Sequence, residues 1–196
     1  MERTARVTSI DVILSALDPV TPELSRMSSP DGAVTLMLSD IADAGTAAAE
    51  LGPERWDQLL RDHHLLVDQL ISRHHGEIAK FSDDGFLASF NSAHAGMHAA
   101  VELQRTFAAG PAERRSLGIR VGLHCGFVIG NPEQLMGRNA VLAARIAAQA
   151  RGGEILVSSA TKEYTQTDPS FRFEERGEYH FKGLHGEHLV YSVLWK

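Results

Sequence analysis

Cysteine is nearly absent. Cys125 stands alone among 196 residues, so no disulfide can form within the chain. That fits a reducing compartment. Long apolar runs are missing too, and nothing approaches the roughly 20 residues that cross a bilayer. The best apolar stretch near the N-terminus, Val12 to Leu17, is brief and lies beside Asp11 and Asp18, which fails the pattern of a secretory signal. A cytoplasmic protein without a membrane span is expected. Positive charge is not in excess. Nineteen Lys and Arg against 25 Asp and Glu leave a formal net charge of −6, which does not suggest nucleic-acid binding. A local basic site for a phosphate ligand stays open. No internal repeat is visible. The length suits one domain with a proper core.

Residues 1–32 read as a tail or linker, punctuated by Pro19, Pro22, Pro30 and Gly32, with a short helix around Ile10–Leu17. A domain is expected over 33–196. It opens with a strand, Ala33 to Ser39, and a small-residue stretch, Ala42 to Ala49. Gly52-Pro53-Glu54 starts a helix with proline in its first turn. Trp56, Leu59, Leu60, Leu66, Val67, Leu70 and Ile71 then recur at helical spacing up to Gly76. Strands over Glu77–Ser82 and Phe86–Phe90 flank Asp83-Asp84-Gly85, a strong hairpin signal. A helix from Ser92 to Ala108 follows, then a strand or hairpin over Leu117–Ile129, and a helix over Arg138–Ala150. Ile155–Ser158 reads as a strand, and Phe171–Trp195 as β-rich with a turn at Lys182–Gly186. This order predicts an α+β fold with a ferredoxin-like, split β-α-β core.

In such a core the first and third strands are antiparallel neighbours. Asp40, at the end of the first, and Asp84, at the hairpin, should therefore meet at one sheet edge. Two carboxylates can hold divalent ions against substrate phosphates, and two such ions suit phosphoryl chemistry. Each acid alone has a plainer use, Asp84 in turn geometry and Asp40 as a helix cap. Polymerase palms and diguanylate cyclases share this architecture, so the fold does not choose among chemistries.

The stretches VTLMLSDI, GPERWDQLLRDHH, HHGEIAKFSDDGFLASF, IRVGLHCGFVIG, MGRNAVLAARI, GGEILVSSAT and HFKGLHGEHLVYSV choose further. Together, in this order, they resemble the catalytic domain of class III adenylate/guanylate cyclases from about residue 33 to the C-terminus. The resemblance implies that Asp40 and Asp84, with the Ile41 carbonyl, hold two Mg²⁺ or Mn²⁺ ions. It implies that Lys80 and Gln134 meet the purine, that Arg120 and Lys182 bind phosphates, and that Arg145 stabilises the transition state. The implied reaction turns ATP or GTP into a 3′,5′-cyclic nucleotide and pyrophosphate at the interface of a head-to-tail homodimer. One chain would give the metal ligands, the other the purine reader and Arg145.

Four positions depart from the family pattern. Val141 stands where an asparagine is usual, four residues before Arg145, and valine cannot donate a hydrogen bond. Loss of one oriented donor costs roughly 10²–10³ in rate. Gln134 replaces an aspartate and can both donate and accept, leaving adenine and guanine both open. Asp83 replaces a glycine, and Asp43 lies in a loop where a glycine followed by hydroxyl residues is usual, so both add negative charge. Low turnover is expected. The alternatives are a degenerate cyclase-homology domain that binds nucleotide or regulates a partner, and the metal-binding half of a heterodimer. His63-His64 and His74-His75 are expected at a helix surface and its end, since adjacent residues on a helix diverge. His124 is expected to be structural, and Cys125 has no activating partner in the sequence.

Overall fold

The computed structural model describes residues 32–127 and 132–196, with 132–136 described as backbone only. The expected tail and its short helix lie outside the described residues. Seven strands form one sheet in the order β2-β3-β1-β4-β5-β7-β6. They are β1 Ala33–Ala42, β2 Gly76–Phe81, β3 Gly85–Phe90, β4 Gly118–Phe127, β5 Ile155–Ser158, β6 Phe173–Tyr179 and β7 His188–Val193. The helices are α1 Ala44–Leu51, α2 Pro53–Arg73, α3 Ala93–Ala108, α4 Ala112–Arg115, α5 Pro132–Ala147 and α6 Ser159–Thr165. The first four strands and the helices between them give the split β-α-β core read from the sequence.

Strand β1 is buried along nearly its whole length because helices cover both faces of the sheet. Its alternate side chains serve different layers. Met37 and Ile41 join Phe86, Phe90, Val121 and Leu123 in a core closed by Val67, Leu70 and Ile71 of α2 and Met97, Leu103 and Phe107 of α3. Val34, Leu36, Leu38 and Leu87 face the other way, onto Ala140, Ala143, Ala144 and Ala147 of α5. These alanines let α5 lie close to the sheet. A Cβ at Gly122 of β4 would stand 2.6 Å from the Ala143 carbonyl oxygen, so glycine is required there by close approach.

Three local expectations change. The small-residue stretch over 42–49, given no element by the sequence, forms helix α1 from Ala44, in line with the helix propensity of its alanines. Leu117–Ile129 was open between strand and hairpin, and its described part is one strand to Phe127. Helix α5 runs from Pro132 to Ala147, starting earlier than Arg138 and ending before Ala150.

Candidate active site

The row Val34, Leu36, Leu38 on the α5 face of β1 ends in a carboxylate. Asp40 sits between two partners fixed by strand register, Gly85 of β3 and Arg120 of β4. Its side chain is wholly buried. Arg120 closes a two-pronged contact on it. The Arg120 Nε donates to Asp40 Oδ1 at 2.7 Å, and the Nη2 donates to Oδ2. A buried carboxylate needs such pairing, because an isolated ion would lose its hydration without return. Gly85 supplies the room. A Cβ there would collide with the Ser39 carbonyl oxygen and stand 3.1 Å from the Asp40 Cβ.

Asp84 is brought to the same place by the β2–β3 hairpin. The Ser82 amide donates to the Gly85 carbonyl at 2.9 Å, closing the turn. The Ile41 amide donates to the Asp84 carbonyl at 3.0 Å, tying the turn to the end of β1. The turn thus needs Gly85 for space rather than for a left-handed backbone, since Gly85 is not among the residues with positive φ. Beneath it, His64 of α2 lies with its ring centroid 4.4 Å from that of Phe81. Burial lowers the His64 pKa, opposed by a hydrogen bond with the Ser82 backbone. Nothing in the sequence flagged His64 as a support for this turn. A histidine one helix before a DDG turn was the available signal.

Asp40 and Ile41 on β1, Arg120 on β4 and Asp84 in the turn leading into β3 are therefore together at one end of the sheet. Carboxylate and carbonyl oxygens are the donors that Mg²⁺ and Mn²⁺ prefer. Among the described residues no three His, Cys, Asp or Glu side chains form a self-sufficient metal cage. The donor set fits ions completed by substrate phosphates and water.

The other expected residues lie elsewhere. Lys80 is half-buried on the edge strand β2, paired in register with Leu87. Arg145 is half-buried on α5 between the buried Ala144 and Ile146. Gln134 falls on α5 where side chains lie outside the described residues. Lys182 is exposed in the β6–β7 connection. Strand β7 is antiparallel to β5, β5 parallel to β4, and β4 antiparallel to β1. The start of β7 thus lies at the Ala33 end of the sheet, opposite Asp40. Seven residues of strand at about 3.3 Å each separate the two levels by roughly 23 Å.

Asn139 is committed to structure. Its Nδ2 donates to the Phe127 carbonyl at 3.2 Å, and its side chain lies over Gly126. Val141, one turn before Arg145, is half-buried. Asp43 is exposed and left-handed at φ 55°, and its carbonyl accepts from the Thr46 and Ala47 amides at the start of α1.

The family model for the adenylate and guanylate cyclase catalytic domain matches residues 27–194. The chain belongs to that family. An uncharacterized protein from Mycobacterium tuberculosis is 30% identical over 141 residues, 71% of this chain. The chain spans about half the length of that relative, 47%. Among solved structures, the adenylyl cyclase CyaB from P. aeruginosa superposes with a TM-score of 0.73 at 21% identity, covering 83% of this chain and 93% of that one. The guanylyl cyclase Cya2 gives 0.71 at 22% identity, with 82% and 91% covered. These likenesses establish a class III cyclase fold, a family that in general uses divalent metal ions. No helix among the described residues is long and apolar enough to cross a membrane.

Two histidines of this cyclase domain are internal. His63 was expected at the helix surface but is buried, edge-on to Phe107 with ring centroids 5.3 Å apart. His63 precedes Val67 and Leu70 by four and seven residues, so it sits on the same buried stripe of α2. Burial, then His64 and Arg114, lower its pKa to about 3. His124 contacts Ser158 Oγ through Nδ1 at 2.8 Å, and burial, opposed by a hydrogen bond to Asn139 and reinforced by His188, brings its pKa to about 4. The Cys125 thiol is buried, and its amide donates to Thr161 Oγ1 at 2.9 Å.

Proposed function

We propose that this domain converts ATP or GTP to the 3′,5′-cyclic nucleotide and pyrophosphate at a site shared by two copies, with turnover limited by Val141. Asp40, Asp84 and the Ile41 carbonyl would hold the metal ions. When bound, those ions activate the ribose 3′-hydroxyl and offset charge on the phosphates. Arg120 and Lys182 bind the triphosphate. Arg145 neutralises charge as the 3′-oxygen bonds to the α-phosphorus and the bond to the leaving pyrophosphate breaks. Lys80 and Gln134 would meet the purine, since an amide can both donate to and accept from either base edge.

The observation that carries this reading is the separation within one chain. The acidic cluster lies at one end of the sheet and Lys182 at the other. A complete site therefore calls for a second copy, arranged head to tail. Class III homologues act as dimers.

Complementation tests it. Asp40→Asn and Arg145→Ala variants should each be inactive with Mn²⁺ and ATP or GTP. Mixed in equal amounts, they should regain about a quarter of the unsubstituted activity, because half the dimers are mixed and each has one intact site of two. No recovery, with both variants folded, overturns the shared site. Val141 favours one second reading, in which this chain gives the metal half to a heterodimer. Activity appearing only with another cyclase chain would establish it.

A further inference from the structure

Arg120 and Asp40 belong to one site, yet each is expected to serve a different ligand. Arg120 should bind phosphate and Asp40 should bind metal. Without either ligand they hold each other. The guanidinium reaches both carboxylate oxygens, through Nε and Nη2. The carboxylate is wholly buried, while about a fifth of the arginine side chain is exposed (22%). Strand register fixes the two backbones opposite one another, so the fork is built into the sheet. Only the longer, partly exposed partner can move away.

A divalent ion arriving at Asp40 meets a carboxylate already engaged by a cation. Like charges at one anion oppose one another. A triphosphate changes the balance, since its oxygens match the arginine fork as well as a carboxylate does. We propose that Arg120 is a gate on metal entry: it occupies Asp40 in the nucleotide-free domain and transfers to the triphosphate, freeing both oxygens for the ion. This inference rests on the reading of Asp40 and Asp84 as metal ligands. Its consequence is a coupling between two ligands that runs through one side chain. By linkage, nucleotide tightens metal and metal tightens nucleotide by the same factor. The gate keeps the carboxylate paired whenever metal is away, which a buried acid requires.

Mn²⁺ binding to the full chain, followed by the electron paramagnetic resonance of free Mn²⁺, tests the gate without measuring turnover. The nucleotide is 3′-deoxy-ATP, which has no attacking hydroxyl. In the unsubstituted protein, Mn²⁺ binding should tighten strongly when nucleotide is added. Arg120→Gln should bind Mn²⁺ at least tenfold more tightly without nucleotide, the low end of what an arginine partner does to proton binding at a carboxylate. Its response to nucleotide should shrink by the same factor. Arg120→Lys keeps one charge but loses the fork, and should lie between. It also serves if the glutamine variant does not fold. Asp40→Asn should lose Mn²⁺ binding without nucleotide and, with nucleotide, should remove no more free Mn²⁺ than the nucleotide does in a protein-free control. If Arg120→Gln and Arg120→Lys bind Mn²⁺ no better than the unsubstituted chain while Asp40→Asn loses it, the gate is wrong and the metal reading stands. If Asp40→Asn leaves Mn²⁺ binding intact, both fall.

Discussion

Gly85 is pressed against the backbone of Ser39, so closely that a methyl group at position 85 would strike the Ser39 carbonyl oxygen. The obstacle is main chain within a central strand, which cannot rotate aside. Gly85→Ala should therefore lower stability by about 1–3 kcal/mol, the usual range for overpacking. Urea unfolding measures this. The same shift would displace Asp84 from Asp40, so Mn²⁺ affinity should fall beyond the loss of folded protein. Wild-type-like stability and metal binding together would show that the hairpin has slack.

How much of this was legible from sequence differs by residue. Asp40 and Asp84 could be brought together because period-two alternation and a DDG hairpin fix local register. Ile155–Ser158 was read to the residue, since a short apolar run flanked by glycines and serines leaves little choice. The Asp40–Arg120 fork was not legible. It joins residues 80 apart and depends on β1–β4 pairing, which no local pattern specifies. Nor could sequence decide whether Gly122 and Gly126 break a strand. They do not, because they serve the approach of α5 and the Asn139 side chain. His63 is a different case. It stands four and seven residues before Val67 and Leu70, on the apolar stripe itself, so the helical spacing marked it as buried while its residue type suggested the surface.

Val141→Asn should restore a donor one turn from Arg145. Cyclic-nucleotide formation should rise by at least tenfold, within the roughly 10²–10³ that one oriented donor contributes. Asn139 cannot already fill that place, because its amide is bonded to the Phe127 carbonyl. Asn139→Ala should lose about 1 kcal/mol of stability with no gain in turnover. A Val141→Asn protein as slow as its parent, under saturating Mn²⁺, would place the limit elsewhere.

Asp43 holds a left-handed backbone at the start of α1. Such a conformation costs an L-residue roughly 1–2 kcal/mol, though aspartate is among the residues that visit it. Asp43→Gly should raise stability by up to about 1 kcal/mol in a thermal or urea melt, after the entropy cost of glycine. It also removes a negative charge from the loop after Asp40. KM for the nucleotide should fall by severalfold, and more at low ionic strength, where exposed charges act over longer range. A KM that does not respond would put the triphosphate away from this loop.

Acid should weaken the domain through His63 and His124. Both are buried in the folded state, with pKa values of about 3 and about 4 against 6.5 for the free side chain. A lowered pKa means that the unfolded chain binds the proton first as pH falls. The stability this contributes is complete above pH 6.5 and is lost as pH drops toward the folded values. Each histidine gives a slope of about 1.4 kcal/mol per pH unit in that window. Together they should cost about 3 kcal/mol per unit between pH 6 and pH 4.5, before carboxylates protonate in number. His63→Leu removes one titrating group and should lower the slope of unfolding free energy, measured in urea, against pH by about 1.4 kcal/mol per unit, with His124 and His64 still contributing, whatever it does to stability at pH 7. An unchanged slope would mean that His63 reaches solvent when protonated, through the small opening between Asp62, Glu113 and Arg114 that it borders.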